Sequence, residues 1–216
     1  NSGAIYNIDT LSSLTNTNLI TASSNAIDNG GTLGTITNSG TISASTAYAI
    51  YNVYGNIESI TNTSTGEINS GSDTIVNGSG RSITSLINQG DIDASADAAI
   101  LNNGTISTIN NSGNIYATEG IGIENDGASA TITNLTNSGN ISAGTAISNT
   151  TGTIDTITNT GFISSLTSLA DIHNNGYINM LINRQRTLTF PGNLPANYQI
   201  MIASTSNYGK ITFTGV

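Results

Sequence analysis

The side chains able to do chemistry in this 216-residue chain are few and scattered. Asp91 and Asp93 alternate on one segment with Asp97 nearby. Enzymes that cleave polysaccharides use clustered carboxylates with a basic residue, or paired acids flanking the bond. On an extended strand both aspartates point the same way, into solvent, so a solvated acidic patch accounts for them. His173 is the only histidine, and Asp171 lies two residues before it. No serine in a G-x-S-x-G elbow accompanies them, and placement on an outer face is the better account of the pair. The glycine–aspartate repeats that bind calcium in β-rolls read G-G-x-G-x-D at a period of nine, whereas Gly30-Gly31 and Gly71-Ser72-Asp73 are isolated fragments. Cysteine is absent, which removes disulfides and thiolate metal sites. Catalytic, cofactor-binding and metal-binding residues are therefore all read as none, and the chain is read as a non-enzyme without a cofactor.

The elements that would hold such residues are dictated by a repeat. A phrase A-I-x-N, then I-x-x-I-x-N-x-G-x-I-x-A, returns down nearly the whole chain. Its first asparagine falls at Asn7, Asn29, Asn52, Asn77, Asn102, Asn125, Asn149 and Asn174, and its second at Asn16, Asn38, Asn62, Asn88, Asn111, Asn137, Asn159 and Asn183. A fixed period of this length means one supersecondary unit stacked on copies of itself. Within a unit apolar residues alternate with small polar ones, as in Thr35-Ile36-Thr37-Asn38, which is the period of strands. Asn38-Ser39-Gly40, Asn111-Ser112-Gly113 and Asn137-Ser138-Gly139 read as corners, where positive φ lets the chain turn sharply. The expected fold is all-β: a single-stranded parallel β-helix (β-solenoid), right-handed, of about eight rungs of 22–26 residues. At ~4.8 Å per rung that is a rod roughly 40 Å long.

Inward positions then form columns, such as Ile36, Ile60, Leu86, Ile109, Leu135 and Ile157, or Ile42, Ile68, Ile92, Ile115, Ile141 and Ile163. Each buried aliphatic contributes on the order of 1.5–3 kcal/mol. An amide left unpaired in that interior costs roughly 1–3 kcal/mol. The asparagine columns are therefore expected to pair along the rod, each side chain donating to one neighbour and accepting from the other. Outward positions vary from rung to rung, as in Tyr6, Asp28, Tyr51, Val76, Leu101, Glu124, Ser148 and His173; Tyr6, Tyr51, Val76 and Leu101 make a partly apolar stripe suited to lateral contacts. Thr35 and Thr37, Ser59 and Thr61, Thr108 and Asn110, and Thr156 and Thr158 form another outward array resembling the T-x-T ladders of ice-binding proteins. It is broken at Ser85-Leu86-Ile87 and Asn134-Leu135-Thr136, and threonine simply suits exposed strands.

The division expected is 1–183 as β-helix repeats and 184–216 as a C-terminal capping or docking segment, because Arg184, Arg186, Lys210 and both prolines fall in the latter. The stretch from Asn1 to Asn7 is the corner and first phrase of a rung already under way. Its open end is expected to be covered by further rungs or by a neighbouring molecule. The net charge of −9 disfavours nucleic acid as a partner. No apolar run approaches the ~20 residues of a membrane span, so no transmembrane segment is expected in the chain.

The repeated N-x-G-x-I phrases, followed by Leu194-Pro195-Ala196-Asn197-Tyr198-Gln199-Ile200-Met201-Ile202 and Asn207-Tyr208-Gly209-Lys210-Ile211-Thr212-Phe213, resemble the β-helical passenger region of bacterial autotransporter-type surface proteins. In that family the passenger is exported through an outer-membrane β-barrel that follows it in sequence; here Val216 ends the chain without one. The resemblance implies an extracellular or outer-surface location on a bacterial cell. The expected function is structural, a stalk or fibre subunit that self-associates end to end through the open rung at Asn1 and the segment after Asn183. The alternative is an adhesin contacting glycans or cell surfaces; an ice-binding or polysaccharide-degrading β-helix ranks below both.

Overall fold

The computed structural model describes residues 3–167 and 170–214, and over these the chain is a parallel β-solenoid without a helix. Asn1 and Val216 lie outside the described residues. Each full turn contributes three strands, as in Ile50–Asn52, Asn56–Asn62 and Glu67–Ser70. Each strand pairs in parallel with its equivalents one turn before and one turn after, so the rod has three faces. The first face stacks short strands, mostly of three residues, from Ile5–Asn7 to Ile172–Asn174. The second stacks seven-residue strands from Thr10–Asn16 to Tyr177–Asn183, and the third four-residue strands from Leu19–Ala22 to Phe162–Ser165. Twice the chain stays extended through the corner from third face to first, in Asn114–Asn125 and Asn140–Asn149, and these long strands join the two faces into one thirteen-stranded sheet.

The registers follow the repeat. Leu14, Ile36, Ile60, Leu86, Ile109, Leu135, Ile157 and Leu181 are successive partners on the second face, and all but the first are wholly buried. Both asparagine columns form unbroken ladders. Nδ2 of each asparagine donates to Oδ1 of the next, as from Asn38 to Asn62 (2.9 Å), Asn62 to Asn88 (2.9 Å) and Asn88 to Asn111 (2.8 Å). The second proton goes to backbone carbonyls near the corner, as where Asn88 also donates to Gly90 O and Asn114 O, except at Asn159, whose second acceptor is Gln185 Oε1. All amides point toward the C-terminal end, so burying them leaves no polar atom orphaned.

Two expectations need correction. The corners at Asn38-Ser39-Gly40 and its equivalents do not use positive φ, which among the described residues occurs only at Gly80, Gly127 and Gly192. Glycine is required there by close approach instead. A Cβ on Gly113 would stand 2.1 Å from Gly90 O, and one on Gly139 2.1 Å from Gly113 O, because successive corners nest directly on one another. The second face has nine strands, eight from the repeat and one from the strand-bearing C-terminal segment. Asn197–Ile200 pairs with Tyr177–Asn183, placing Tyr198 on Leu181. The second correction is that Val76 is only 5% exposed although its file faces outward.

The chain after Asn183 stacks on the solenoid with a shortened turn. Thr189 O accepts from Asp171 N (3.1 Å), Leu188 and Phe190 are fully buried, and Ile211–Phe213 pairs with Leu188–Phe190. Among the described residues no third-face strand occurs in this turn, and the Gln185 side chain pairs with the Ile163 backbone there. Both ladders end in backbone acceptors of the same segment, Asn174 donating to Asn193 O (2.7 Å) and Asn183 to Gln185 O (2.9 Å). Among the described residues no helix is long and apolar enough to cross a membrane.

Candidate functional site

Asp91 and Asp93 lie on the third face in two adjacent outward files. One file runs Glu67, Asp91, Asn114, Asn140 and the other Asn69, Asp93, Tyr116, Ser142. Strand alternation puts both files on the solvent side, and parallel pairing brings equivalent side chains to each other one rung apart. Asn140 Nδ2 donates to Asn114 Oδ1 (2.9 Å), and Asn114 Nδ2 to Asp91 Oδ1 (2.7 Å). The files border a groove of about 440 Å³ whose lining includes Glu67, Asp91, Asp93, Asn114 and Tyr116. Partial burial pushes the Asp93 carboxyl above the usual carboxylate range, and Glu67 and Asp91 push it the same way. The arrangement has acceptors, amide donors and one phenol ring over which a polar ligand can lie. Asp97 is on the next corner, accepting from Ser72 Oγ (2.9 Å), and is not part of this groove.

Asp171 is not on an outer face. It is 8% exposed, with Oδ1 accepting from Ser165 N (2.7 Å) and Oδ2 from Thr189 N (2.7 Å) and Thr189 Oγ1 (2.9 Å). The reason lies in the corner. The A and the I of A-I-x-N both point inward, and the A slot runs Ala26, Ala49, Thr74, Ala99, Gly122, Ala146, Asp171. Asp171 thus takes a small-residue position and turns its carboxylate onto backbone of the final turn. His173, two residues on, is half-buried in the varied outward file and is not brought to Asp171 by any hydrogen bond. The signal available in the sequence was the departure from alanine at this slot.

The hydroxyl array is in register on the second face: Ser13, Thr35, Ser59, Ser85, Thr108, Asn134, Thr156 and Met180 are successive partners, as are Thr15, Thr37, Thr61, Ile87, Asn110, Thr136, Thr158 and Ile182. The side chains change along both files, so the array is regular in backbone and irregular in chemistry. Gly30, Gly31 and Asp73 converge on nothing resembling a calcium roll. Asp73 instead accepts from Ala98 N (2.8 Å), and among the described residues no group of three acidic or histidine side chains is placed to hold a metal. A second concentration of acid went unnoticed in the sequence. Glu124 is half-buried, and its pKa is raised by that burial and then by Asp126, Asp73 and Asp97, residues from separate turns. Asp73 is likewise raised by burial, with Asp97 adding to it and the Ala98 N–H opposing.

Comparison with protein-family models, with curated proteins and with solved structures finds no match for this chain.

Proposed function

We propose that this protein is an extracellular, non-enzymatic structural element of the bacterial cell surface, a stalk or fibre subunit of the autotransporter-passenger type that builds length by stacking rungs. The observation that carries this reading is the pair of unbroken asparagine ladders. What is kept from rung to rung is the interior that holds one turn on the next, while the outward files change residue by residue. Its end-to-end assembly is supported by the exposed apolar side chains Leu194, Ile202 and Phe213 of the C-terminal segment.

The test is electron microscopy of the purified chain beside a truncation lacking residues 184–216. Head-to-tail polymers are expected from the full chain and none from the truncation; a truncated chain that still polymerises sinks the docking role of that segment. Excision of one repeat, residues 89–111, is expected to shorten a surface-displayed rod by ~4.8 Å and leave its display intact.

A second reading, an adhesin for neutral glycans, is favoured by the third-face groove with Tyr116 between amides and carboxylates. Tyr116→Ala and Asn114→Ala separate the two. Loss of saturable binding to glycan-coated surfaces, with circular dichroism unchanged, favours the adhesin over the stalk.

A further inference from the structure

The first face carries a groove of about 500 Å³ built where the solenoid is least regular. Its floor is the outward file Tyr51, Val76, Leu101, three successive partners, with the Tyr48 ring stacked on Tyr51 at 4.7 Å and 17°. In the turns of the repeat, corners between the first and second faces otherwise take two or three residues, but four separate Asn77 from Ser82 and five separate Asn125 from Thr131. These two long corners turn back on themselves, Gly78 O accepting from Arg81 N (3.0 Å) and Gly127 O from Ala130 N (2.9 Å), with positive φ at Gly80 and Gly127. Gly78, Ser79 and Ser129 therefore stand as a wall along one side of the apolar floor.

The same file continues into a carboxylate at each end. Asp28 precedes Tyr51 and Glu124 follows Leu101. Asp28 Oδ2 accepts from Asn25 Nδ2 (3.4 Å) while its buried Oδ1 has no hydrogen-bond partner, and Glu124 sits in the field of Asp126, Asp73 and Asp97. Arg81 is the one lysine or arginine before Asn183 and is not among the residues that line the groove. A second copy laid on this face would set like charge against like charge, given a net charge of −9.

We propose that this groove binds an extended cationic segment of another polypeptide along the rod axis, apolar side chains over Tyr51, Val76 and Leu101 and basic side chains at Asp28 and Glu124. The dimensions agree. Four rung steps from Asp28 to Glu124 span about 19 Å, and six residue steps of an extended chain span about 20 Å, with alternate side chains on one side. Apolar contact supplies the area, and the two ionic ends fix orientation and exclude anionic ligands.

The experiment is fluorescence anisotropy on the full chain with a labelled seven-residue peptide, Lys-Thr-Leu-Thr-Leu-Thr-Lys, whose lysines and leucines fall on one side of an extended chain, beside the peptide with glutamate at both ends. The lysine peptide is expected to bind saturably and the glutamate peptide not at all. Raising salt to about 0.5 M weakens binding about tenfold or more. The double variant Asp28→Asn, Glu124→Gln weakens it at least tenfold, Leu101→Ser weakens it at low and high salt alike, and Asp91→Asn on the third face leaves it unchanged; circular dichroism confirms that each variant is folded. Failure of the lysine peptide to bind, equal binding of both peptides, or equal loss with Asp91→Asn overturns the proposal. Displacement of the lysine peptide by a neutral oligosaccharide also overturns it. None of these outcomes bears on whether the rod builds length.

Discussion

The Gln185 side chain is paired with the Ile163 backbone as a strand residue would be: Oε1 accepts from Ile163 N and Nε2 donates to Ile163 O, both at 2.8 Å. One side-chain amide thus closes the last third-face strand among the described residues, and it also accepts from Asn159 Nδ2 (3.1 Å). A primary amide has the same donor and acceptor as a peptide group, which is why it fits. The consequence is that an otherwise open sheet edge is satisfied by two hydrogen bonds.

Replacing Gln185 by alanine is expected to cost about 1–3 kcal/mol and to loosen the last turn before the rest of the rod. Glu in its place can still accept from Ile163 N but cannot donate to Ile163 O when ionised, so it is expected to fall between the two. Hydrogen exchange at the Ile163 amide reads the effect locally, and unchanged protection there in the alanine variant contradicts the plugging role.

Asn111 accepts from Asn88 and donates to Asn137, Gly113 O and Asn140 O. Asn111→Ala is expected to destabilise by about 1–3 kcal/mol, since Asn137 Oδ1 is left buried without its donor. Asn111→Asp keeps the acceptor and loses every donor, with a charge added, and is expected to cost more at neutral pH than the alanine change. Urea unfolding followed by circular dichroism ranks the variants; an aspartate variant as stable as the original excludes the ladder as a buried hydrogen-bonded array.

Gly113 and Gly80 separate two uses of glycine. Alanine at Gly113 sets Cβ against Gly90 O and is expected to cost well over 2 kcal/mol or prevent folding. Alanine at Gly80, which has φ 71° and open space around it, is expected to cost only about 1–2 kcal/mol of left-handed strain. Thermal unfolding of both variants decides the point, and the reverse ranking would refute the nesting of corners.

Acidity should stabilise this rod. Burial first, and neighbouring carboxylates second, raise Glu124 and Asp93 above their ordinary values, so the folded state holds protons that the unfolded chain has released. Their contribution is fully present below the ordinary carboxylate range and is lost as pH rises from there through the raised values. Glu124→Gln is therefore expected to raise the midpoint of thermal unfolding at neutral pH and to flatten its dependence on pH. A variant less stable than the original at pH 7 would point to a favourable partner for the carboxylate.

Much of this architecture was legible because a repeat converts local pattern into tertiary register. The spacing of Asn38, Asn62 and Asn88 stated both which residues face inward and which residues meet. The candidate sites were less legible. Asp171 looked like an outward partner of His173 because strict alternation was carried through a corner where two adjacent residues both point in. Gln185 carried no signal, being one amide in a chain rich in amides, and its role appears only once Ile163 is seen to lack a strand above it.

By itself, then, the sequence determined the stacked strands, the aliphatic columns and both ladders, since each rung repeats the same instructions and burial enforces them. Only the tertiary structure decided how the rungs nest and end. Corner glycines are set by approach distance rather than by φ, and the last turn is shortened and plugged by Gln185. The floor of Tyr51, Val76 and Leu101 becomes a groove because two corners are longer than the rest. These features depend on atoms brought together from different turns, at distances no spacing within one turn records.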